Sequence, residues 1–338
     1  MQTLLITGGT GFLGKYLANK LKYQYKVVLT GRNQWHNQQA ADFTDCEVIP
    51  MEVSQMENVR EVFSFIKPDI VLHAAAAKNI FLSEIHPQEC MQTNVVGSQN
   101  IARIAIERNI QTVIGISATT ASPPVTGMYA MSKAMMEKLF AQYASHTDTQ
   151  FLNVRLANIL YSTGSLLRVW HQCASEGQLL PITDKQMTRF FMNTEEAVHL
   201  IERALQYATD WKGKTITQPM RAIEIATLLK YWIKKYKGGY KVVGKRIGET
   251  LHSFLIGDEE LDFAEEVLIG NEKFFIISPQ QKVQKPLQKR FSSETADKYT
   301  DKEINTLIDA DELYRYHNFC MLKPRTLHAH TYHTTEQP

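Results

Sequence analysis

The segment Thr7–Gly14 reads TGGTGFLG and directly follows the apolar run Leu4-Leu5-Ile6. An apolar run that ends at glycine predicts a buried strand, and the spacing of Leu17 and Leu21 predicts a helix beyond the loop. Glycines at this spacing allow a tight turn, close approach of the backbone to a pyrophosphate, and close packing of helix on strand. The helix start adds free N–H groups and partial positive charge. The segment therefore predicts a dinucleotide-binding loop whose cofactor contacts come from Gly8, Thr10, Gly11, Phe12, Leu13 and Gly14.

Strands and helices alternate after this loop. Further strands are predicted at residues 26–30, 47–50, 69–73 and 112–117, with helical spacing between them. This order predicts an α/β fold with a Rossmann-type doubly wound parallel sheet. The second half is less regular, with amphipathic helices near 196–207 and 225–233 and a short strand at 241–243. We expect a dinucleotide-binding domain at 1–160, to which the 194–208 helix returns. An interleaved, smaller mixed substrate-binding domain is expected at 161–320, and a polar tail at 321–338.

The bulk composition is that of an ordinary globular protein. Hydrophobic residues make up 44% of the 338 positions, and the net charge of +2 provides no field for nucleic acid. There is no apolar run of roughly 20 residues to span a membrane, and the N-terminus does not resemble a signal peptide. The cysteines lie scattered, without a C-x-x-C pair, so we predict neither a metal site nor a disulfide framework. A reducing, cytoplasmic location is expected.

The residues that follow the second predicted strand bear on the type of cofactor. They read Thr30-Gly31-Arg32-Asn33, without the acidic residue that would bind the 2′-hydroxyl of NAD. A guanidinium is suited to a 2′-phosphate, so Arg32 favours NADP, with NAD still possible. Glu52, after the 47–50 strand, is placed to reach the adenine, although a solvated carboxylate is the alternative.

Tyr129 and Lys133 stand four residues apart on a predicted helix and therefore share one face. A nearby ammonium is expected to lower the pKa of the phenol, so that Tyr129 can take a proton from a substrate hydroxyl while hydride leaves the same carbon. Lys133 is also expected to hold the nicotinamide ribose. A hydroxyl partner is expected at the end of the 112–117 strand, from Ser117, Thr119 or Thr120.

Several longer segments carry a resemblance to a known family. They are HAAA at 73–76 with Lys78, HPQECMQTN at 86–94, SKAMMEK at 132–138, VR at 154–155 with Asn158, PITDKQMTRF at 181–190, and RIGETLH at 246–252. With them, residues 3 to about 309 resemble the bacterial UDP-N-acetylglucosamine 4,6-dehydratases and 5-epimerising dehydratases of polysaccharide biosynthesis. That family belongs to the extended short-chain dehydrogenases/reductases.

The resemblance implies roles for residues that spacing alone does not assign. Ala74, Ala75 and Asn94 would line the cofactor, and Lys78 would lie between cofactor and sugar. A UDP-activated amino sugar would be the partner, and guanidinium and carboxylate groups suit its diphosphate and ribose. Relatives form homo-oligomers, so the same is expected here. The residues that would hold UDP are Asn158, Arg189, Arg246 and Glu249.

One departure from the family leaves the reaction open. Its dehydratases carry Thr-Asp-Lys after the strand that ends at Ser117, where this chain has Ala118-Thr119-Thr120. The favoured hypothesis is a dehydratase or C5 epimerase with an atypical acid/base group such as Lys78. A second is a C4 epimerase or ketoreductase, which needs only tyrosine, lysine and a hydroxyl. A third is a non-catalytic binder of sugar nucleotide or NADP, against which the intact Tyr129–Lys133 pair argues.

Overall fold

The computed structural model describes residues 1–309 of the chain. The predicted polar tail, 321–338, and the last part of the predicted substrate domain, 310–320, lie outside the described residues.

Within residues 1–309 the strands lie in four sheets, of which the largest has nine strands in the order β14-β15-β10-β6-β5-β4-β1-β2-β3. The strand bounds are β1 Thr3–Thr7, β2 Lys26–Gly31, β3 Glu47–Pro50, β4 Ile70–His73, β5 Thr112–Ala118, β6 Gln150–Leu156, β7 Asn158–Ile159, β8 Leu180–Ile182, β9 Thr188–Met192, β10 Thr215–Thr217, β11 Ala222–Glu224, β12 Tyr240–Val242, β13 Phe254–Ile256, β14 Ala264–Ile269, β15 Glu272–Ile277 and β16 Phe291–Ser292.

Helices connect most of these strands. They are α1 Phe12–Leu21, α2 Gln34–Thr44, α3 Met56–Ile66, α4 Ile80–Ile85, α5 Pro87–Met91, α6 Gly97–Glu107, α7 Met128–His146, α8 Leu166–Ser175, α9 Thr194–Gln206, α10 Ile225–Tyr236 and α11 Asp301–Asp309. A π-helical turn at Gln92–Val96 joins α5 to α6, and 3₁₀ turns lie at Thr119–Ala121 and Asp258–Phe263.

The doubly wound parallel sheet is confirmed. β1 pairs in parallel with β2 and β4, and β5 lies in parallel between β4 and β6. β10 extends the parallel part beside β6, whereas β15 and β14 close that edge as antiparallel strands. Because parallel strands all point the same way, the carboxyl ends of β1, β2, β4 and β5 meet at one edge, where such folds bind ligands.

Apolar helix faces cover both sides of the sheet. Leu17 of α1 and Leu200 of α9 pack into one buried cluster, and Ile101 of α6 and Phe140 of α7 pack into the other. A third cluster lies in the second half of the chain, around Trp170 of α8 and Trp232 of α10, whose ring centroids are 5.8 Å apart. Burial of this size is the dominant favourable contribution to folding.

Two helices begin earlier than their apolar spacing predicts. α1 begins at Phe12 because the last extended residue of the glycine loop is Gly11, with φ of −75° and ψ of 178°. α9 begins at Thr194 because Asn193 accepts a hydrogen bond from the N–H of Glu196, whose carboxylate accepts one from the N–H of Asn193. This reciprocal capping fixes the start of the helix before its first buried residue.

No helix among residues 1–309 combines the length and apolar character needed to cross a membrane.

Candidate active site

The glycine loop packs directly against the segment that follows β4. Gly8 has a φ of +65°, and a Cβ placed on it would lie 2.7 Å from the backbone of Ala75. A Cβ on Gly14 would lie 2.5 Å from Gly9. Only glycine fits at either position. The loop therefore leads straight into the N-terminus of α1, which leaves a cradle of backbone N–H groups suited to a pyrophosphate. The predicted contacts of Thr10, Gly11, Phe12 and Leu13 with the cofactor stay predictions.

His73, at the end of β4, ties this edge of the sheet to α6. Its Nδ1 lies 2.7 Å from Thr7 Oγ1, and its Nε2 lies 2.9 Å from Ser98 Oγ. Burial, with the nearby charge of Lys133, lowers the pKa of His73 to about 3, so the ring is neutral at physiological pH. The histidine therefore holds the edge together and adds no charge to the site.

Asn94 lies buried in the π-helical turn and binds the segment after β4. Its Oδ1 accepts a hydrogen bond from Ala77 N–H at 2.7 Å, and its Nδ2 donates to Ala77 O at 3.0 Å and to Ser132 Oγ at 2.9 Å. These bonds fix the segment containing Ala74 and Ala75 against α7. Asn94 thus positions the backbone beside the glycine loop, and its direct contact with a cofactor stays a prediction.

Arg32 and Glu52, both predicted at the adenosine end of the cofactor, lie together beyond β2 and β3. Arg32 Nη1 is 3.6 Å from Glu52 Oε2, and its Nη2 is 3.2 Å from Glu89 on α5. Glu52 also accepts hydrogen bonds from the N–H and hydroxyl of Ser54. The Arg32 side chain remains 58% exposed, and ion pairs this exposed are weak. Sequence spacing gave no sign of Glu89.

Tyr129 and Lys133 lie in the first turns of α7 on one face, as their spacing predicts; Lys133 is buried and Tyr129 is half-buried. Lys133 Nζ donates a hydrogen bond to the carbonyl of Ile116 on β5 at 2.7 Å. Glu84 of α4 accepts a hydrogen bond from the N–H of Met128 and so caps the start of the helix. The pair therefore sits on the carboxyl half of β5, beside the edge where the glycine loop lies.

The prediction that the pKa of the Tyr129 phenol is lowered was wrong for the protein without ligands. Burial, followed by the nearby Cys90, raises the pKa of the Tyr129 phenol above its ordinary value. Burial lowers the pKa of Lys133 to about 8, opposed by the charge of Glu137. Removal from water disfavours the charged form of each group, and burial cannot be deduced from a four-residue spacing.

Hydroxyl groups line the end of β5. Ser117 is 3% exposed, and its Oγ has no hydrogen-bond partner among residues 1–309; the same holds for Thr120 Oγ1. Thr119 is buried between them in the 3₁₀ turn. A buried hydroxyl without a partner costs about 1–3 kcal/mol, so these groups are well suited to bind a ligand hydroxyl or carbonyl.

Arg168 of α8 lies close enough to two lysines on separate elements for its charge to act on both. Burial lowers the pKa of Lys78, after β4, and the charge of Arg168 on α8 lowers it further. The same two causes lower the pKa of Lys15 on α1. A concentration of positive charge next to a glycine loop suits phosphate groups. The sequence had singled out only Lys78, because nothing in the spacing of Lys15 and Arg168 relates them.

Two of the residues predicted to hold UDP use their side chains to donate hydrogen bonds to backbone carbonyl oxygens. Asn158 Nδ2 donates to Phe190 O at 2.9 Å. The Arg189 guanidinium ties β9 to the segment at 250–251, because at 2.8–2.9 Å it donates to the carbonyl oxygens of Thr188, Thr250 and Leu251.

Arg246 and Glu249 border different cavities. Arg246, with Lys241 and Lys245, lines a cavity of about 550 Å³ that also contacts Phe81. Glu249 lines a second cavity, of about 320 Å³, which Lys245 also borders. Neither cavity is lined by Tyr129. The first has the volume of a small-molecule site and a cationic wall. The predicted UDP residues nevertheless lie near one another, because Glu249 accepts a hydrogen bond from the N–H of Arg246 at 3.1 Å and its charge acts on Arg189.

The parallel sheet, the glycine loop and the Tyr129–Lys133 pair together define an enzyme of the extended short-chain dehydrogenase/reductase type, the class that includes nucleotide-sugar dehydratases and epimerases. The chain belongs to the polysaccharide biosynthesis protein family, whose sequence profile matches residues 4–277.

Three individual relatives are each 27–31% identical in sequence to this chain. An uncharacterized membrane protein of Methanocaldococcus jannaschii is 31% identical over 82% of this chain and 86% of its own. The inverting UDP-N-acetylglucosamine 4,6-dehydratase of Campylobacter jejuni is 27% identical, covering 90% and 88% of the two chains. A UDP-glucose 4-epimerase of Rickettsia bellii is 29% identical, covering 80% and 81%. Among solved structures, Pen from Bacillus thuringiensis superposes with a TM-score of 0.84 at 26% identity, covering 92% of this chain and 98% of its own.

Proposed function

We propose that this enzyme modifies a UDP-N-acetylhexosamine by transient NADP-dependent oxidation at C4, as a UDP-N-acetylglucosamine 4,6-dehydratase or C5 epimerase of polysaccharide or glycoconjugate biosynthesis. The observation that carries the proposal is the Tyr129–Lys133 pair on α7, which the hydrogen bond from Lys133 to the Ile116 carbonyl holds next to Ser117, whose hydroxyl has no hydrogen-bond partner among residues 1–309. The Campylobacter relative, itself such a dehydratase, supports it.

The oxidation step falls to α7 and β5. A nicotinamide bound beside Lys133 would supply the hydride acceptor for C4 of the sugar and the hydride for the later reduction. The Tyr129 phenolate takes the proton of the C4 hydroxyl, and the Ser117 hydroxyl donates a hydrogen bond to the same oxygen. Lys133 has three N–H donors, of which the Ile116 carbonyl takes one, so others are available to the nicotinamide ribose and the phenolate. An ammonium beside the phenol favours the phenolate against the effect of burial.

Elimination of water needs a group that Thr119 and Thr120 do not supply. A base must remove the proton at C5, and an acid must protonate the hydroxyl that leaves C6. Lys78 suits both steps, because its lowered pKa increases the fraction of neutral amine at physiological pH. The amine takes the C5 proton, the C6–O bond breaks, and the resulting ammonium returns the proton to the departing oxygen as water.

A second candidate function is C4 epimerisation or ketoreduction. The observation that favours it is the hydroxyl-lined end of β5, where Ser117 and Thr119 stand without an acidic or basic neighbour in the sequence. Tyr129 and Lys133 with one hydroxyl suffice for removing hydride from C4 and returning it to the other face. The Rickettsia relative, a UDP-glucose 4-epimerase, supports this alternative.

A product assay separates these candidates. The purified protein is incubated with UDP-N-acetylglucosamine and NADP, and the product is analysed by mass spectrometry and NMR. We expect the loss of one water, which Lys78→Ala abolishes. An unchanged mass with a new sugar configuration would establish the epimerase instead. No turnover of this sugar or its C4 epimer, despite tight cofactor binding, would overturn both in favour of a non-catalytic binding protein.

The preference for NADP rests on Arg32. A 2′-phosphate carries about two negative charges and is expected to displace Glu89, whose exposed ion pair with Arg32 is weak. We predict that Arg32→Ala weakens NADP binding by about 10–100-fold, the effect of losing a charge-assisted hydrogen bond, while NAD binding changes little. Isothermal titration calorimetry with both cofactors measures the difference.

Glu89→Gln is the matched variant for that measurement. It frees Arg32 from one carboxylate and removes a negative charge near the phosphate, so NADP should bind up to about fivefold more tightly. Equal losses for NAD and NADP in Arg32→Ala would contradict the assignment of Arg32 to the 2′-phosphate and leave NAD as the cofactor.

We further propose a homo-oligomer, which light scattering of the purified protein tests. Support comes from exposed apolar side chains on two neighbouring helices, Met131 and Met135 on α7 and Phe81, Leu82 and Ile85 on α4. Exposed patches of this kind are typical of protein interfaces. A reducing, cytoplasmic location is proposed as well, supported by the free thiols of Cys46, Cys90 and Cys173.

A further inference from the structure

A buried group of charges lies on the sheet side of α7. Arg155 of β6 is 1% exposed, and its guanidinium makes two bidentate ion pairs. Its Nε and Nη2 donate to the Glu137 carboxylate at 3.1 and 2.7 Å, and its Nη1 and Nη2 donate to Glu260 at 3.0 and 2.8 Å. Nη1 also donates to Leu255 O at 2.7 Å. All five N–H donors of the guanidinium are therefore used.

This group does not balance its own charge. One guanidinium stands against two carboxylates, so the three side chains carry a net charge of −1. A buried net charge is costly unless an opposite charge is close. Lys133 lies one helical turn before Glu137 on α7, where residues four apart are neighbours, and it is buried as well. An ammonium on Lys133 makes the four side chains neutral overall.

The other titratable groups around Lys133 cannot take over this role. His73 on β4 is neutral, because its pKa is lowered to about 3. Tyr129 is neutral in the protein alone, because burial raises the pKa of its phenol. Cys90 on α5 is a buried thiol. Burial lowers the pKa of Lys133 to about 8, and Glu137 is the first of the groups that oppose this shift.

The same group reaches the turn that follows β5. Glu260 Oε2 accepts a hydrogen bond from Ser122 Oγ at 2.9 Å, and Ser122 directly follows the Thr119–Ala121 turn. The glutamate also accepts one from Gly257 N–H at 3.0 Å. A continuous set of ion pairs and hydrogen bonds therefore runs from the helix of Lys133, through Arg155, to the hydroxyl-bearing end of β5.

We propose that Glu137 is a positioning residue for Lys133: with Arg155 and Glu260 it forms a buried anion that keeps the Lys133 amine protonated and directed at the cofactor. The inference rests on the proposed nicotinamide site and needs no particular sugar. Glu137 acts through Lys133 and touches no reacting atom. Because Arg155 holds the Glu137 carboxylate through two hydrogen bonds, its negative charge stays in a fixed position one helical turn from Lys133.

The dissociation constant of NADPH, measured by calorimetry from neutral to alkaline pH without any sugar, tests this proposal. In the wild type, the constant should rise above a pH of about 8, where Lys133 loses its proton. Lys133→Met should abolish the rise. Glu137→Gln should start it about one pH unit lower, the usual effect of removing an adjacent opposite charge. Glu260→Gln, which removes the more distant carboxylate of the same guanidinium, should move it less.

The test measures cofactor binding without any sugar, so its result does not depend on whether the proposed sugar substrate is correct. A folded Glu137→Gln protein with the wild-type pH dependence would overturn the proposal, as would a rise that persists in Lys133→Met or an equal displacement in Glu260→Gln. If Glu137→Gln fails to fold, Glu137→Asp decides. Glu137→Asp retains the carboxylate charge, so its dissociation constant for NADPH should rise at the wild-type pH, whereas in Glu260→Gln the rise should begin at a lower pH. Identical pH dependence in Glu137→Asp and Glu260→Gln would refute the role of Glu137.

Discussion

Replacing Tyr129 with phenylalanine is expected to lower the turnover number by roughly a thousandfold, since a positioned acid–base group contributes about 10²–10⁴ to the rate. The substitution removes only the phenol oxygen that would take the proton from the sugar C4 hydroxyl. The ring stays in place, so the dissociation constant of NADPH should change little. Product formation followed by mass spectrometry, together with calorimetric titration of NADPH, separates the two effects.

Tyr143→Phe is the matched control on the same helix. Tyr143 lies on α7 and packs its ring against Phe151, with centroids 5.8 Å apart, in the core cluster away from the glycine loop. Loss of its hydroxyl should leave turnover within about twofold, as is usual for substitutions away from special features. If Tyr129→Phe keeps more than about a tenth of the activity, another group must move the proton.

Replacing Arg155 with leucine is expected to lower the free energy of unfolding by about 3–5 kcal/mol, the usual cost of breaking a buried ion pair from one side. The variant leaves Glu137 and Glu260 buried without the guanidinium that accounts for most of their hydrogen bonds. Urea unfolding followed by circular dichroism measures the loss. Turnover should also fall, since the middle of α7, one helical turn after Lys133, and the turn after β5 are both held by this group.

The loss in Arg155→Leu should depend on pH. Burial raises the pKa of Glu260, but Arg155 outweighs this effect and holds it below its ordinary value. Such a carboxyl contributes stability above its unfolded pKa, and the contribution disappears as the pH falls through the folded pKa. In the variant, protonation of Glu260 instead relieves a charge that has lost its guanidinium partner. The difference in the free energy of unfolding between Arg155→Leu and the wild type should therefore be largest at neutral pH and become smaller below about pH 4.

Arg60→Leu provides the comparison for that experiment. Arg60 also pairs with two glutamates, Glu57 and Glu107, but its side chain is exposed to solvent. Ion pairs at such positions contribute little to stability. A loss in Arg60→Leu equal to that in Arg155→Leu would show that burial of the Arg155 group is not what makes it important.

Features encoded by neighbouring residues were predictable from the sequence. The glycine loop, the strands of the parallel sheet and the Tyr129–Lys133 face of α7 each depend on residues within a few positions, so spacing alone identifies them. The predicted helix boundaries were less accurate where a capping residue determines the start of the helix, as Asn193 does for α9. The predicted roles of the cofactor and UDP residues remain predictions, although the structure places Gly8, Ala75 and Asn94 in one connected edge.

The remaining site features join residues far apart in the chain. Arg155 binds Glu260 across 105 positions, and Arg32 binds Glu89 across 57. No periodicity relates such pairs, since the fold alone brings them together. The direction of the Tyr129 pKa was missed for a related reason, because the extent of burial depends on packing between α7 and the sheet. The resemblance had included Arg155 only as part of a motif.

The path of the chain through the large sheet limits how this enzyme can be divided. β10, β14 and β15 come from the second half of the chain yet complete the sheet beyond β6, and the family profile ends at residue 277, the last residue of β15. A fragment cut at residue 160 would leave β6 with unpaired backbone groups, a template for aggregation. Engineers who exchange substrate specificity between relatives must therefore graft discontinuous segments and keep 215–217 and 264–277 with the cofactor half.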